Sequence, residues 1–141
     1  MPGYLLDANV LVALAWPEHS ANERAGRWFA RHARAGWATC PFTQAALLRV
    51  LSNPAFSERA LTPAGAMQVL IRNVAVAEHQ FWSDSISVPE AMERIRTALT
   101  GHQQITDAYL VALAMHNRGK LATLDRGIRE WAPTGSVELI S

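Results

Sequence analysis

The segment YLLDANVL at residues 4–11 places the strongest constraint on what this chain can fold into. A short apolar run ends at the carboxylate of Asp7, and Asn9, a residue type that often caps helices, precedes a second apolar stretch. We therefore predict a buried strand over residues 3–6 and a short helix that starts at Asn9. In a parallel α/β sheet, ligands bind outside the carboxyl ends of the strands. Asp7 is expected at such an end, where a carboxylate is well placed for chemistry.

Helices alternate with short, nearly all-apolar strands along the rest of the chain, a pattern typical of a parallel sheet covered on both faces. A length of 141 residues favours one domain, residues 1–141. Thr43, Thr62 and Thr106 are the expected N-caps of three helices. Helices are predicted over residues 21–34, 44–51, 63–73, 88–99, 107–116 and 126–131, and strands over residues 37–40, 120–124 and 137–140. Residues 78–82 are ambiguous and could form a short strand near the edge of the sheet.

Composition restricts the cellular setting more than the function. Half of the residues are hydrophobic, which is enough for a core, and no apolar run approaches the roughly 20 residues of a membrane span. We see no signal peptide at the amino terminus, and the single cysteine, Cys40, fits a buried thiol in a reducing compartment. A cytoplasmic protein is therefore expected. The net charge of +1 neither demands nor forbids a nucleic-acid partner.

Three acids suggest a metal-dependent reaction. Asp7 and Asp125 each end an apolar strand, and Asp107 lies in the first turn of a helix that leads into the Asp125 strand. Carboxylates that meet repel one another, and a hard divalent cation such as Mg²⁺ or Mn²⁺ relieves the repulsion. Such a site favours phosphodiester hydrolysis. Each acid also has a structural interpretation: Asp7 as a helix cap, Asp107 as a helix-start residue and Asp125 as a turn residue.

Several motifs in the same order resemble those of one nuclease family. The segments LDANVL at residues 6–11, ITDAYLVALA at 105–114 and LATLD at 121–125, together with TQ at 43–44 and LRVLSNP at 48–54, resemble PIN-domain ribonucleases, and in particular VapC toxins of bacterial toxin–antitoxin systems. No single segment is very specific, but the ordered set covers nearly the whole chain. The resemblance implies a three-layer α/β/α PIN-like fold with a central, mostly parallel sheet of four to five short strands.

The same resemblance implies an activity and partners. The family implies an Mg²⁺-dependent endoribonuclease that cleaves tRNA or rRNA and inhibits translation, a homodimer, and a VapB-like antitoxin that blocks the site. Asp7 and Asp107 correspond to the principal metal ligands, and Asp125 completes the acidic cluster directly or through water. The polar residues that resemble the family's supporting side chains are Asn9, Thr43 and Thr123.

Gln44 departs from the family pattern. Many PIN nucleases carry a further acid at the start of the helix after the second strand, and this chain has Gln44 there. A neutral carbonyl oxygen holds a metal less strongly than a carboxylate, so the number of metal ions, one or two, stays open.

Four arginines form a further candidate surface. Arg24, Arg27, Arg31 and Arg34 recur at spacings of three, four and three, which places them on one stripe of a helix. The stripe is either a solvated face or a contact for RNA phosphates or for the antitoxin.

Other functional classes have less support. His19, His32, His79, His102 and His116 lack the spacing of zinc ligands. No G-x-G-x-x-G follows the first strand, which argues against a dinucleotide fold. An aspartyl phosphatase usually has a second acid two residues after the nucleophile, where this chain has Asn9. The main alternative is a PIN-fold module that binds RNA or protein without hydrolysing anything.

Overall fold

The computed structural model describes residues 3–95 and 99–141. Its strands are β1 (Tyr4–Leu6), β2 (Trp37–Thr39), β3 (His79–Phe81), β4 (Lys120–Thr123) and β5 (Val137–Leu139). Its helices are α1 (Ala8–Ala15), α2 (Asn22–His32), α3 (Pro41–Leu51), α4 (Pro63–Val74), α5 (Val88–Ile95), α6 (Ile105–His116) and α7 (Arg126–Trp131). Two 3₁₀ turns, Ala33–Ala35 and His102–Gln104, precede β2 and α6.

The five strands form one parallel sheet in the order β3-β2-β1-β4-β5. Helices cover both faces, which confirms the predicted three-layer α/β/α arrangement. Because successive strand residues point to opposite faces, Leu5 joins the core under α5 and α6, whereas Leu6 joins the core under α1 to α4. β1 lies at the centre of the sheet, between β2 and β4. Asp7 and Asp125 therefore follow adjacent parallel strands and share the carboxyl edge.

Most predicted elements are present, and β3 resolves the uncertain segment 78–82 as a strand at the edge of the sheet. The helix predicted over 21–34 ends earlier, at His32, because a 3₁₀ turn follows and Gly36, with φ of 105°, redirects the chain into β2. The part of the helix predicted over 96–98 lies outside the described residues.

Three helix starts differ from prediction. Asp7, and not Asn9, caps α1, because its carboxylate accepts the backbone N–H of Ala8 at 2.7 Å. α3 begins at Pro41 rather than after Thr43, since proline suits the first helical position. α6 begins at Ile105, directly after a 3₁₀ turn, so Thr106 is not its N-cap. Thr62 caps α4 as predicted.

Tryptophan side chains mostly contribute to the core. Trp28, Trp37 and Trp82 are buried, and Trp16 and Trp131 are half-buried. Within the described residues, no helix is both long and apolar enough to cross a membrane.

Candidate active site at the carboxyl edge of the sheet

Asp7 is a buried carboxylate held from two sides. It follows β1, and its backbone N–H donates to the carbonyl of Ala122 at 2.9 Å, which continues the β1–β4 pairing past the strand. Its side chain is on the sheet face that α6 covers and its residue is only 7% exposed. One carboxylate oxygen accepts the N–H of Ala8, and the other accepts the hydroxyl hydrogen of Thr123 at 2.8 Å. The orientation of the carboxylate is therefore fixed before any ligand binds.

Asn9 and Thr123 support Asp7 as a small polar network. The Asn9 amide nitrogen lies 3.2 Å from the Thr123 hydroxyl oxygen and 3.5 Å from the Asp7 carboxylate. The Asn9 carbonyl oxygen accepts the backbone N–H of Leu124 at 3.2 Å, and the Thr123 oxygen accepts that of Asp125 at 3.1 Å. These bonds tie the start of α1 to the end of β4, the two elements on either side of Asp7.

Asp107 enters the same pocket from the helix above the sheet. It lies in the first turn of α6 and is half-buried. A pocket of about 600 Å³ contains Asp7 and Asp107 and extends to Thr43, Arg49 and Asp84. Two of the three predicted acids thus meet in one pocket, with opposite sides supplied by α6 and α3.

Asp125 is placed differently from the other two acids. It is exposed, it does not line the pocket, and its carboxylate accepts the N–H of Gly127 at 2.9 Å as the N-cap of α7. Burial is the main cause of the raised pKa of both Asp7 and Asp107, and the negative charge of Asp125 adds a smaller contribution to each. Asp125 therefore caps α7, as its structural interpretation predicts, and its charge also acts on the two carboxyl groups in the pocket.

The pocket disfavours the state in which Asp7 and Asp107 are both ionised. Burial is the main cause that raises the pKa of Asp107 from its ordinary 3.8 to about 6, and the charges of Asp7 and Asp125 add to it. Burial also raises the pKa of Asp7, although the hydrogen bonds from Thr123 and Ala8 act in the other direction. A bound cation removes this conflict, because it neutralises carboxylates that otherwise repel.

The donor set suits a hard cation that keeps part of its water shell. Within residues 3–95 and 99–141, no group of three His, Cys, Asp or Glu side chains stands ready as a complete ligand cage. Asp7 and Asp107 supply oxygen donors to one pocket, and the exposed Asp84 also lines it. Mg²⁺ commonly uses one or two carboxylates together with water and substrate phosphate, so these residues fit such an ion.

Thr43 and Gln44 have separate surroundings. Thr43 is buried in the pocket wall, where its hydroxyl oxygen accepts the backbone N–H of Cys40 at 3.0 Å. The amide nitrogen of Gln44 donates to the hydroxyl oxygen of Thr39 at 2.9 Å, and that oxygen is also 2.7 Å from a ring nitrogen of His79. Gln44 does not line the acidic pocket, and it takes part in a polar group under the α1–α4 layer.

The four arginines of the α2 stripe are all exposed, and none lines the acidic pocket. The stripe covers Arg24, Arg27 and Arg31 of α2 and Arg34 of the 3₁₀ turn. The buried face of this helix packs on the sheet face opposite α6: Trp28 contacts Tyr4 edge-on and donates to the carboxylate of Glu138 at 3.1 Å. A contact between the stripe and RNA or an antitoxin stays a prediction.

Two charged residues of the pocket were not predicted from the sequence. Arg49 lines the pocket from α3, and Asp84 reaches it from the loop after β3. Arg49 belongs to the segment LRVLSNP, where an arginine on an otherwise apolar helix was an available signal. Asp84 lies in a polar loop, and the sequence carries no local signal that this loop reaches the Asp7 edge.

Comparison with known proteins assigns the chain to a family, because residues 4–132 match the PIN domain. This chain belongs to the PIN-domain family. It is 38% identical over 136 residues to Ribonuclease VapC39 of Mycobacterium tuberculosis, which covers 96% of this chain and 98% of the relative. It is 39% identical over 140 residues to Ribonuclease VapC38 of the same species, with 97% of each chain covered. Within the family, these relatives place the chain among the VapC ribonucleases.

Solved PIN-domain structures share the fold. The M. tuberculosis toxin VapC20, described as cleaving the sarcin–ricin loop, superposes with a TM-score of 0.69 at 13% identity and covers 99% of this chain and 100% of that one. VapBC2 from Rickettsia felis, bound to a DNA fragment from its promoter, gives a TM-score of 0.66 at 13% identity with 98% of each chain covered. At such identity the likeness supports the fold alone.

Proposed function

We propose that this PIN domain, over residues 1–141, is a metal-dependent endoribonuclease and the toxin of a VapBC-type toxin–antitoxin pair. The observation that carries the proposal is the pairing of Asp7 and Asp107 in one pocket. The carboxylate of Asp7 is pre-oriented by Thr123, and the pKa of Asp107 is raised by burial and, to a lesser degree, by the charge of Asp7. Family membership supplies the class of reaction, and the pocket supplies residues able to perform it.

In this proposal Asp7 and Asp107 hold Mg²⁺, or Mn²⁺, with Asp125 acting through its charge or through water. Held there, such an ion would supply charge neutralisation for the phosphate and would make water a better nucleophile. Asp7 contributes a fixed oxygen, because its two hydrogen bonds leave it little freedom to rotate. Asn9, Thr43 and Thr123 keep the pocket walls in place. Gln44 acts outside the pocket and supplies no ligand.

Arg49 is proposed to bind the phosphate group that is cleaved. It is the basic residue in the pocket lining, on the α3 wall, and it forms no hydrogen bond or ion pair with other described residues. A guanidinium group presents paired donors that match phosphate oxygens. Its positive charge also offsets the repulsion between the acidic pocket and an RNA backbone.

The proposed partners and setting follow the family. We propose an RNA substrate of the tRNA or rRNA class, a VapB-like antitoxin that covers the pocket, a homodimer, and a cytoplasmic location. Some solved relatives support the antitoxin, since they are VapBC or FitAB assemblies. The target can be identified by mapping new RNA 5′ ends after brief expression with and without the antitoxin.

Cleavage assays with purified protein test the proposal against the alternative of an inactive binding module. Total RNA should be cleaved with Mg²⁺ and not with a chelator, and Asp7→Asn or Asp107→Asn should each reduce the rate by at least about 100-fold. Glu58→Gln, which removes an exposed acid outside the pocket, is the matched control and should cleave normally. Metal-independent cleavage, or full activity of Asp7→Asn, would reject the proposed site. RNA binding without any cleavage would favour the inactive module.

A further inference from the structure

A second cleft lies on the carboxyl edge of the sheet, beside the acidic pocket. It has a volume of about 530 Å³ and lies between α7 and the end of β5. The residues that line it are Arg126, Arg129, Glu130, Leu139 and Ser141. None of them belongs to the lining of the pocket that contains Asp7 and Asp107.

The strand order sets how far the cleft is from the acidic pair. Asp7 follows β1, and the cleft lies at β5, which is two strands away in the sheet and therefore about 10 Å across it. The connection is direct: Leu139 pairs with Thr123, the residue whose hydroxyl holds Asp7. Arg126 is the first residue of α7 and directly follows Asp125, the acid that caps this helix at the carboxyl end of β4. A nucleic-acid strand that crosses the acidic pocket along this edge of the sheet would reach the cleft next.

The two arginines of the cleft are available to bind a ligand. Arg126 and Arg129 are exposed, and among the described residues neither forms an ion pair or a side-chain hydrogen bond. They occupy one helix at a spacing of three, so their guanidinium groups lie on the same side. Glu130 is the one acidic side chain in the lining. Paired guanidinium groups at a concave surface suit a phosphate diester.

We propose that this cleft binds a backbone phosphate of single-stranded RNA close to, but not at, the phosphate that is cleaved. The inference rests on the proposed function only in taking RNA as the substrate. An acidic pocket repels a polyanion, so binding energy must come from positive groups around it. Arg49 lies inside the pocket, and the cleft arginines lie beyond Asp125, so the two positions hold the strand on either side of the acidic pair.

The cleft and the α2 stripe lie on different parts of the molecule. The stripe arginines are absent from the lining of both the pocket and the cleft, and α2 packs on the sheet face opposite α6. The cleft arginines share the edge with the acidic pair. Phosphate contacts position a nucleic acid without reading its sequence, so the cleft should affect affinity and leave the cleavage position unchanged.

RNA affinity measured at two salt concentrations tests the proposal. All proteins carry Asp7→Asn to prevent cleavage, and the probe is a short, fluorescently labelled single-stranded RNA. The double variant Arg126→Gln/Arg129→Gln should weaken binding roughly tenfold or more at low salt. It should also reduce the magnitude of the negative slope of log K against log salt by about 1.4, since each lost contact to a single strand contributes about 0.7. Glu130→Gln should strengthen binding severalfold.

The matched control removes a charge from the other edge of the sheet. Arg118 is exposed and precedes β4 at its amino end, and Asn tolerates the positive φ of 61° at this position. Arg118→Asn should leave the salt slope unchanged. An unchanged slope in the double variant, an equal decrease in Arg118→Asn, or no measurable RNA binding by the parent protein would each overturn the cleft proposal.

Cleavage assays on protein that retains Asp7 distinguish failure of the cleft proposal from failure of the proposed function. RNA cleavage together with an unchanged slope in the double variant would reject the cleft and keep the nuclease. RNA binding with the expected slope change, but no cleavage under any metal condition, would keep the cleft and reject the nuclease. If the double variant bound the antitoxin more weakly but kept the salt slope of RNA binding, the cleft would also be rejected as a phosphate site.

Discussion

The hydroxyl of Thr123 donates a hydrogen bond to the carboxylate of Asp7 across two adjacent strands, at 2.8 Å. Both residues lie at the carboxyl ends of parallel strands and on the face that α6 covers. The bond stabilises the ionised form of Asp7 against the effect of its burial, and together with the N–H of Ala8 it fixes the orientation of the carboxylate.

We therefore expect Thr123→Val to reduce the rate of RNA cleavage by roughly 10- to 100-fold, the usual cost of removing a side chain that orients a metal ligand. The apparent affinity for Mg²⁺ should fall, because the pKa of Asp7 rises further without the bond. Thr134→Val, at an exposed loop position, is the control. Metal titration of cleavage rates provides the measurement, and equal metal affinity in the two variants would contradict the expectation.

Asp107 should destabilise the metal-free protein at neutral pH. Its pKa is raised from 3.8 to about 6 in the folded state, so the folded protein retains this proton while the unfolded chain has already released it. The free energy of unfolding therefore decreases as pH rises through this interval and stays lower above it.

Asp107→Asn removes that penalty, so the metal-free variant should be about 1–2 kcal/mol more stable than the parent at neutral pH, after allowance for partial solvent screening. The advantage should shrink as pH falls towards 3.8. Saturating Mg²⁺ should reverse the order, because only the parent gains binding energy. Urea unfolding at several pH values checks this, with Glu58→Gln as the control. A stability difference that does not vary with pH would point to packing instead.

Arg49→Ala should lower kcat/KM by roughly 10- to 100-fold, since a hydrogen bond to a charged group contributes about 1.5–3 kcal/mol. Arg49→Lys should recover part of the loss, because it keeps the charge without the paired donors. Arg72→Ala, which removes an exposed arginine outside the pocket, should cleave normally. Equal rates for Arg49→Ala and Arg72→Ala in a single-turnover assay would exclude Arg49 from phosphate binding.

Gln44→Glu should not create a stronger metal site. The Gln44 amide donates to Thr39, next to His79 and away from the acidic pocket, and a carboxylate cannot make that donation. We expect unchanged Mg²⁺ affinity and a loss of stability of about 1 kcal/mol. Calorimetric Mg²⁺ titration would contradict this if Gln44→Glu bound the ion more tightly or with a second site.

We expect self-association because several large apolar side chains are exposed, whereas the tryptophan side chains mostly lie in the core. Met67 and Ile71 project from α4 at a spacing of four, and Phe81 lies on the edge strand β3. Sedimentation at micromolar concentration should give about twice the monomer mass of 15.5 kDa. A single species at the monomer mass would reject the homodimer.

The sequence by itself determined the layer order and part of the acidic edge. Alternating helices and apolar strands favour a parallel sheet, and acids that end strands in such a sheet lie at its carboxyl edge. Asp7 and Asp125 could therefore be placed from the strand pattern. Local signals also located α4 from Thr62-Pro63 and α6 around Asp107. These features depend on periodicity and backbone chemistry within short segments, which a sequence displays directly.

Only the tertiary structure decided which side chains share a pocket. The docking of α6 on the sheet brings Asp107 to Asp7, and the loop after β3 brings Asp84 to the same pocket from a distant segment. Asp125 shares the edge but turns to cap α7, and Gln44 turns towards Thr39. The direction of a side chain depends on how separate elements pack and on which hydrogen-bond partner each finds there. That competition among distant segments leaves no pattern within any one of them.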